Sequence, residues 1–136
     1  MIDPGVPPGW ETRESVRAEA RVLDLIREQT PREGGPARTQ EIYRLALPET
    51  PPPGETWTLV LTTERSRFVR SVRVVGVGED GGEIELVPRA SIARLGQKQV
   101  DRDRLPLPAF HGREIVVTID GEEGTFLEPV PSFVSQ

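Results

Sequence analysis

Residues 56–87 read TWTLVLTTERSRFVRSVRVVGVGEDGGEIELV. In 56–62, Trp57, Leu59 and Leu61 alternate with Thr58, Val60 and Thr62, the period-2 pattern of a half-buried strand. FVRSVRVVGV at 68–77 repeats that character. GEDGG at 78–82 supplies turn residues, and EIELV at 83–87 returns from them as the second arm of a hairpin. This stretch makes the chain a β protein.

The same pattern extends both ways. QEIYRLAL at 40–47 places Tyr43, Leu45 and Leu47 on one parity. LPETPPPG, around Pro48, Pro51, Pro52 and Pro53, then reads as a stiff loop joining two strands, because proline fixes φ. ASIARL at 90–95 suits a short helix or a strand, and GQKQVDRDR at 96–104 a charged loop. LPLPAF at 105–110 suits an edge strand. REIVVTI at 113–119 is a strand, DGEEG at 120–124 a tight turn, and TFLEPVPSFV at 125–134 the return of a second hairpin.

Before residue 38 the period changes. Residues 1–11 hold Pro4, Gly5, Pro7, Pro8 and Gly9 and read as an extended arm. Over 12–30, Val16, Ala20, Leu23 and Ile26 recur at helical spacing, widened by Val22 and Leu25. Thr12 is a candidate N-cap, Glu14 lies in the first turn, Arg27 in the last, and Pro31 stops the run. PREGGPA at 31–37 separates this amphipathic helix from an antiparallel β domain at 38–136. The expected fold is mainly β: a sandwich or barrel of six to seven short strands, preceded by an arm and one helix.

Composition narrows function. The 136 residues carry a net charge of −5, which opposes general binding to nucleic acid or anionic membranes. There is no Cys and a single His, so disulfides, thiolate sites and multi-His metal sites are excluded. Lys98 is the sole lysine among 17 basic residues, and Asn is absent. That bias fits a thermophilic source or a GC-rich genome. No signal peptide and no apolar run long enough to span a membrane is read, so a cytoplasmic location is expected unless a larger assembly takes up the chain.

No motif specifies a reaction, and no enzyme activity, cofactor, catalytic residue or metal site is expected. Arg65, Arg67, Arg70 and Arg73 gather around Phe68 as a candidate polar contact patch. Glu79, Asp80, Glu83 and Glu85 lie across the hairpin, placed to neutralise them. Asp120, Glu122 and Glu123 lack the spacing of a calcium loop. VDRDR at 100–104 reads as a solvated loop or an interface rim. His111 has no nucleophile elbow to serve.

The segment PPPGETWTLVLTTERSRFVRSVRVVGV, about a fifth of the chain, resembles the opening strands of small β-sandwich accessory proteins of tailed bacteriophages. That resemblance implies a structural virion component of head, neck or tail, a homo-oligomer whose partners are itself and other virion subunits. The assembly interface is then expected at Trp10, Val16, Ala20, Leu23 and Ile26. The alternative is a binding module for carbohydrate, peptide or nucleic acid.

Overall fold

The computed structural model describes residues 16–95 and 101–135, and these contain ten strands and no helix. The strands are β1 (Arg17–Glu19), β2 (Arg21–Thr30), β3 (Arg38–Ala46), β4 (Trp57–Thr62), β5 (Phe68–Gly78), β6 (Glu83–Arg94), β7 (Asp101–Arg102), β8 (Arg104–Pro106), β9 (Gly112–Gly121) and β10 (Val130–Ser135). They form two open antiparallel sheets, not a closed barrel. One has the order β1-β10-β4-β8 and the other β2-β3-β9-β5-β6-β7. No helix among the described residues is long and apolar enough to cross a membrane.

Both sheets feed one hydrophobic cluster. Leu59, Leu61, Leu105 and Phe133 enter it from the smaller sheet. Tyr43, Leu45, Val72, Val74, Ile92, Ile115, Val117 and Ile119 enter it from the larger. Alternation produces this directly: along β3, β5 and β9 every second residue is buried. In β4 the expected half-burial gives way to burial of Trp57 through Leu61, on both faces of the strand.

Over 16–30, the described part of the expected helix at 12–30, the chain forms β1 and β2 instead. Ala18 pairs Phe133 on β10, and β2 pairs β3 from Arg21↔Ala46 to Thr30↔Arg38. The misleading spacing has a local cause. Ala18 and Ala20 pack against the core, and Val22 follows on the same parity, opposite Leu45. A bulge then falls at Leu23, between Val22 and Asp24. It moves the core-facing parity to Leu25, opposite Tyr43, and Arg27, opposite Glu41. Two alternating runs joined out of phase resemble a helical stripe. Pairing with two sheets then outweighs helix propensity. Residues 31–37 are the turn of the β2–β3 hairpin. Trp10, Thr12 and Glu14 lie outside the described residues.

Three further expectations change. The described residues hold ten strands rather than six or seven. The segments 83–87 and 90–95 are one strand, β6, running past Pro88 with two register shifts against β5. The second hairpin does not close: after β9 the chain crosses to the other sheet, where β10 pairs β4 and β1. The first hairpin stands as read, closed by Gly78 N–H to Gly82 O at 2.8 Å.

Candidate functional site

Three features stand out: an edge, a buried polar anchor at one end of the core, and a cleft under the proline loop.

The edge is β2. Edge strands β1, β7 and β8 are two or three residues long, whereas β2 has ten. Among the described residues only Ala93 and Arg94 of β6 are covered, by β7, so most of β6 is also an outer strand there. But β6 carries Pro88, register shifts and the acids Glu83 and Glu85, devices that blunt an edge. Against β3, β2 runs in unbroken register from Asp24 to Thr30, and it holds no proline. Val22, Leu25 and Ile26 on it are 44%, 37% and 44% exposed. Its charged residues alternate in sign: Arg21, Asp24, Arg27, Glu28.

Of the residues expected at an assembly interface, Ile26 lies exposed on β2, Leu23 sits half-buried at the bulge, and Val16 is exposed just before β1. Ala20 instead packs inward against the core. Val22 and Leu25 belong to the exposed set as well.

The polar anchor holds the edge and the crossing loop to the core. Glu41 is fully buried. Its carboxylate accepts the backbone N–H of Leu127 at 2.8 Å and of Glu128 at 2.9 Å, the Tyr43 hydroxyl at 3.1 Å and Arg27 Nε at 3.3 Å. Arg27 Nη2 also donates to the Tyr43 oxygen at 3.2 Å. Four donors compensate the burial of one charge. Burial pushes the Tyr43 phenol up to about 12, against the lowering effect of the Arg27 hydrogen bond. The Tyr43 contact, ahead of the Glu41 contacts, raises the Arg27 guanidinium above its ordinary value. Thr63 adds a hydrogen bond to Leu127 O at 2.9 Å. The loop from β9 to β10 is thus tied to β3 and to the end of β4.

Arg70 belongs to this end too. It points inward from β5 and is buried; its guanidinium donates to Thr125 O at 2.8 Å, to Val69 O at 2.9 Å and to the Glu123 carboxylate. Desolvation lowers its pKa, the neighbouring Arg65 lowers it further, and Glu41 opposes both. Space for the guanidinium comes from Gly121 of β9: a Cβ there would stand 2.5 Å from Arg70 Nε and 2.9 Å from Thr39 Oγ1. Arg73, on the opposite face of β5, is exposed and bonds Glu85 at 2.9 Å. Arg67 is exposed and Arg65 half-buried. The four arginines are therefore divided between the interior and the surface, and the cross-strand neutralisation among the described residues is one pair, Arg73–Glu85. Arg94 covers the Phe68 ring, with Cζ 5.6 Å from its centroid.

The acids of 120–123 are also divided. Asp120 accepts from Gln40, Glu122 from Arg32 and Glu123 from Arg70. Among the described residues no group of His, Asp and Glu is arranged to hold a metal ion.

The cleft lies at the other end of the core, beside the loop 48–56. The turn Pro52–Glu55 has Pro53 and Gly54 at its centre, Gly54 at φ +82° and Glu55 N–H bonded to Pro52 O at 3.0 Å. Trp57 anchors the loop by donating its indole N–H to Glu49 O at 3.1 Å, and its ring meets Phe133 edge-on at 6.2 Å. Opposite stands Phe110. A Cβ at Gly76 would lie 2.5 Å from Phe110 Cζ, so the missing side chain at 76 is what admits the ring. Between them is a cavity of about 290 Å³, with His111 among its lining residues.

No protein-family model matches the chain, and no curated protein matches it.

Proposed function

We propose that this protein is a non-enzymatic assembly subunit whose copies join by antiparallel pairing of β2 with β2 of a second copy. The observation that carries the reading is the contrast between its two long outer strands. Strand β6 has the devices that prevent strand addition, and β2 has seven residues in unbroken register with apolar side chains exposed. A two-fold axis normal to the sheet makes the same surface serve both partners. The formal charges on β2 cancel, so two copies meet without net repulsion.

The phage resemblance makes the specific form of this reading an accessory component of a virion head, neck or tail. Two measurements address the two levels. Amide exchange at Asp24–Thr30 slows with rising protein concentration if β2 pairs in solution; exchange independent of concentration contradicts it. Peptides of the chain found in purified phage particles support the virion assignment, and their absence from intact particles opposes it.

A further inference from the structure

The cleft beside Trp57 is far from uniform in its chemistry. Its lining includes Pro48, Pro51, Pro52, Pro53 and Pro108, which have no backbone N–H to offer. Four other donors there are engaged within the chain. Trp57 indole N–H bonds Glu49 O, Glu55 N–H bonds Pro52 O, Leu107 N–H bonds Trp57 O at 3.0 Å, and Leu47 N–H bonds Arg113 O at 2.9 Å. The hydroxyls of Thr50 and Thr56 and the His111 ring serve either way. Two carboxylates, Glu55 and Glu79, also line the cleft, and neither has an ion-pair partner among the described residues. The walls are therefore largely apolar and aromatic, and the two carboxylates give the described lining its negative charge.

We infer that this cleft receives an arginine side chain presented by a partner protein. The site favours a cation with an aliphatic stem and several N–H donors. A guanidinium fits it better than an ammonium, because its plane stacks on aromatic rings and its fork matches carboxylates. The volume, about 290 Å³, is at the lower limit of small-ligand pockets (~300–1,000 Å³) and suits one side chain rather than a cofactor or an oligosaccharide. Among the described lining residues there is no Arg or Lys to meet an anion. This site is separate from the β2 edge, so the two readings stand or fall independently.

The test uses the full chain and a capped five-residue peptide with one central arginine, followed by the shifts of the Trp57 indole and Gly112 amide in nuclear magnetic resonance. Saturable shifts at both positions are expected. Replacing the arginine by citrulline, its uncharged isostere, weakens binding about tenfold or more. The Glu55→Gln/Glu79→Gln variant weakens arginine-peptide binding to a similar degree while keeping the free protein's spectrum. Equal binding of the citrulline or a glutamate peptide overturns the inference, as does the absence of shifts at millimolar arginine peptide. Shifts that arise without peptide as protein concentration rises, and vanish in the double variant, would assign the cleft to a second copy and also overturn it.

Discussion

Arg27 Nε stands 3.3 Å from Glu41 Oε1, so the long edge strand is tied to the interior through a charge that has no exposed surface of its own. The same carboxylate holds the Leu127 and Glu128 amides, so the edge, β3 and the crossing loop share one acceptor. Glu41→Ala leaves two backbone donors and the Tyr43 hydroxyl without that partner. It is expected to lower unfolding free energy by about 3–5 kcal/mol, the range for breaking a buried pair. Arg27→Ala, at a partly exposed guanidinium, is expected to cost less, about 1–2 kcal/mol. Urea unfolding of both variants checks the order, and Arg27→Ala costing as much as Glu41→Ala would contradict it.

Tyr43 is the only tyrosine, so phenolate absorbance reports it alone. Its hydroxyl is expected to titrate near pH 12 in the folded protein and near pH 10 in denaturant. A phenol held protonated by the fold stabilises the native state fully below pH 10. That contribution is lost as pH rises from about 10 to 12, where the unfolded chain has released its proton and the folded one has not. Alkaline unfolding should therefore sharpen in that window, with up to about 3 kcal/mol at stake from this group. Tyr43→Phe should flatten the window. A native titration midpoint near pH 10 would mean that the hydroxyl is solvated.

Gly121 and Arg70 are fitted to each other. Gly121→Ala puts a methyl 2.5 Å from Arg70 Nε, and neither the buried guanidinium nor Thr39 has open space to retreat into. The expected cost is about 1–3 kcal/mol, as for other overpacked cores. In an Arg70→Ala background the same change should cost clearly less, since the two side chains would then not compete. Chemical denaturation of the four-member cycle reads the coupling; strict additivity would refute the fit.

The sequence disclosed the parts where one period runs without interruption. β3, β5 and β9 follow from strict alternation, the first hairpin from GEDGG, and the 48–54 loop from its prolines. It concealed β2 because a single bulged residue, Leu23, reverses the parity midway and imitates helical spacing. It concealed the destination of β10 because a strand returning to its neighbour and one crossing to another sheet have the same pattern. Glu41 gave one local sign: it occupies the same parity as Thr39, Tyr43 and Leu45. An acid on an apolar parity is a cue for a buried, fully bonded carboxylate. The cleft had no local sign, since Trp57, Glu79 and Phe110 come from three separate segments.

The account rests most heavily on β2 as a joining edge, and mass in solution tests it most directly. Sedimentation equilibrium of the intact chain at micromolar concentration is predicted to give close to twice the 15.1 kDa chain mass. The Ile26→Lys variant, which places a charge on the exposed outer face of the edge, is predicted to sediment as a single chain with its β circular dichroism unchanged. A wild-type mass of 15.1 kDa across the concentration range, or a lysine variant that stays paired, would contradict assembly through β2.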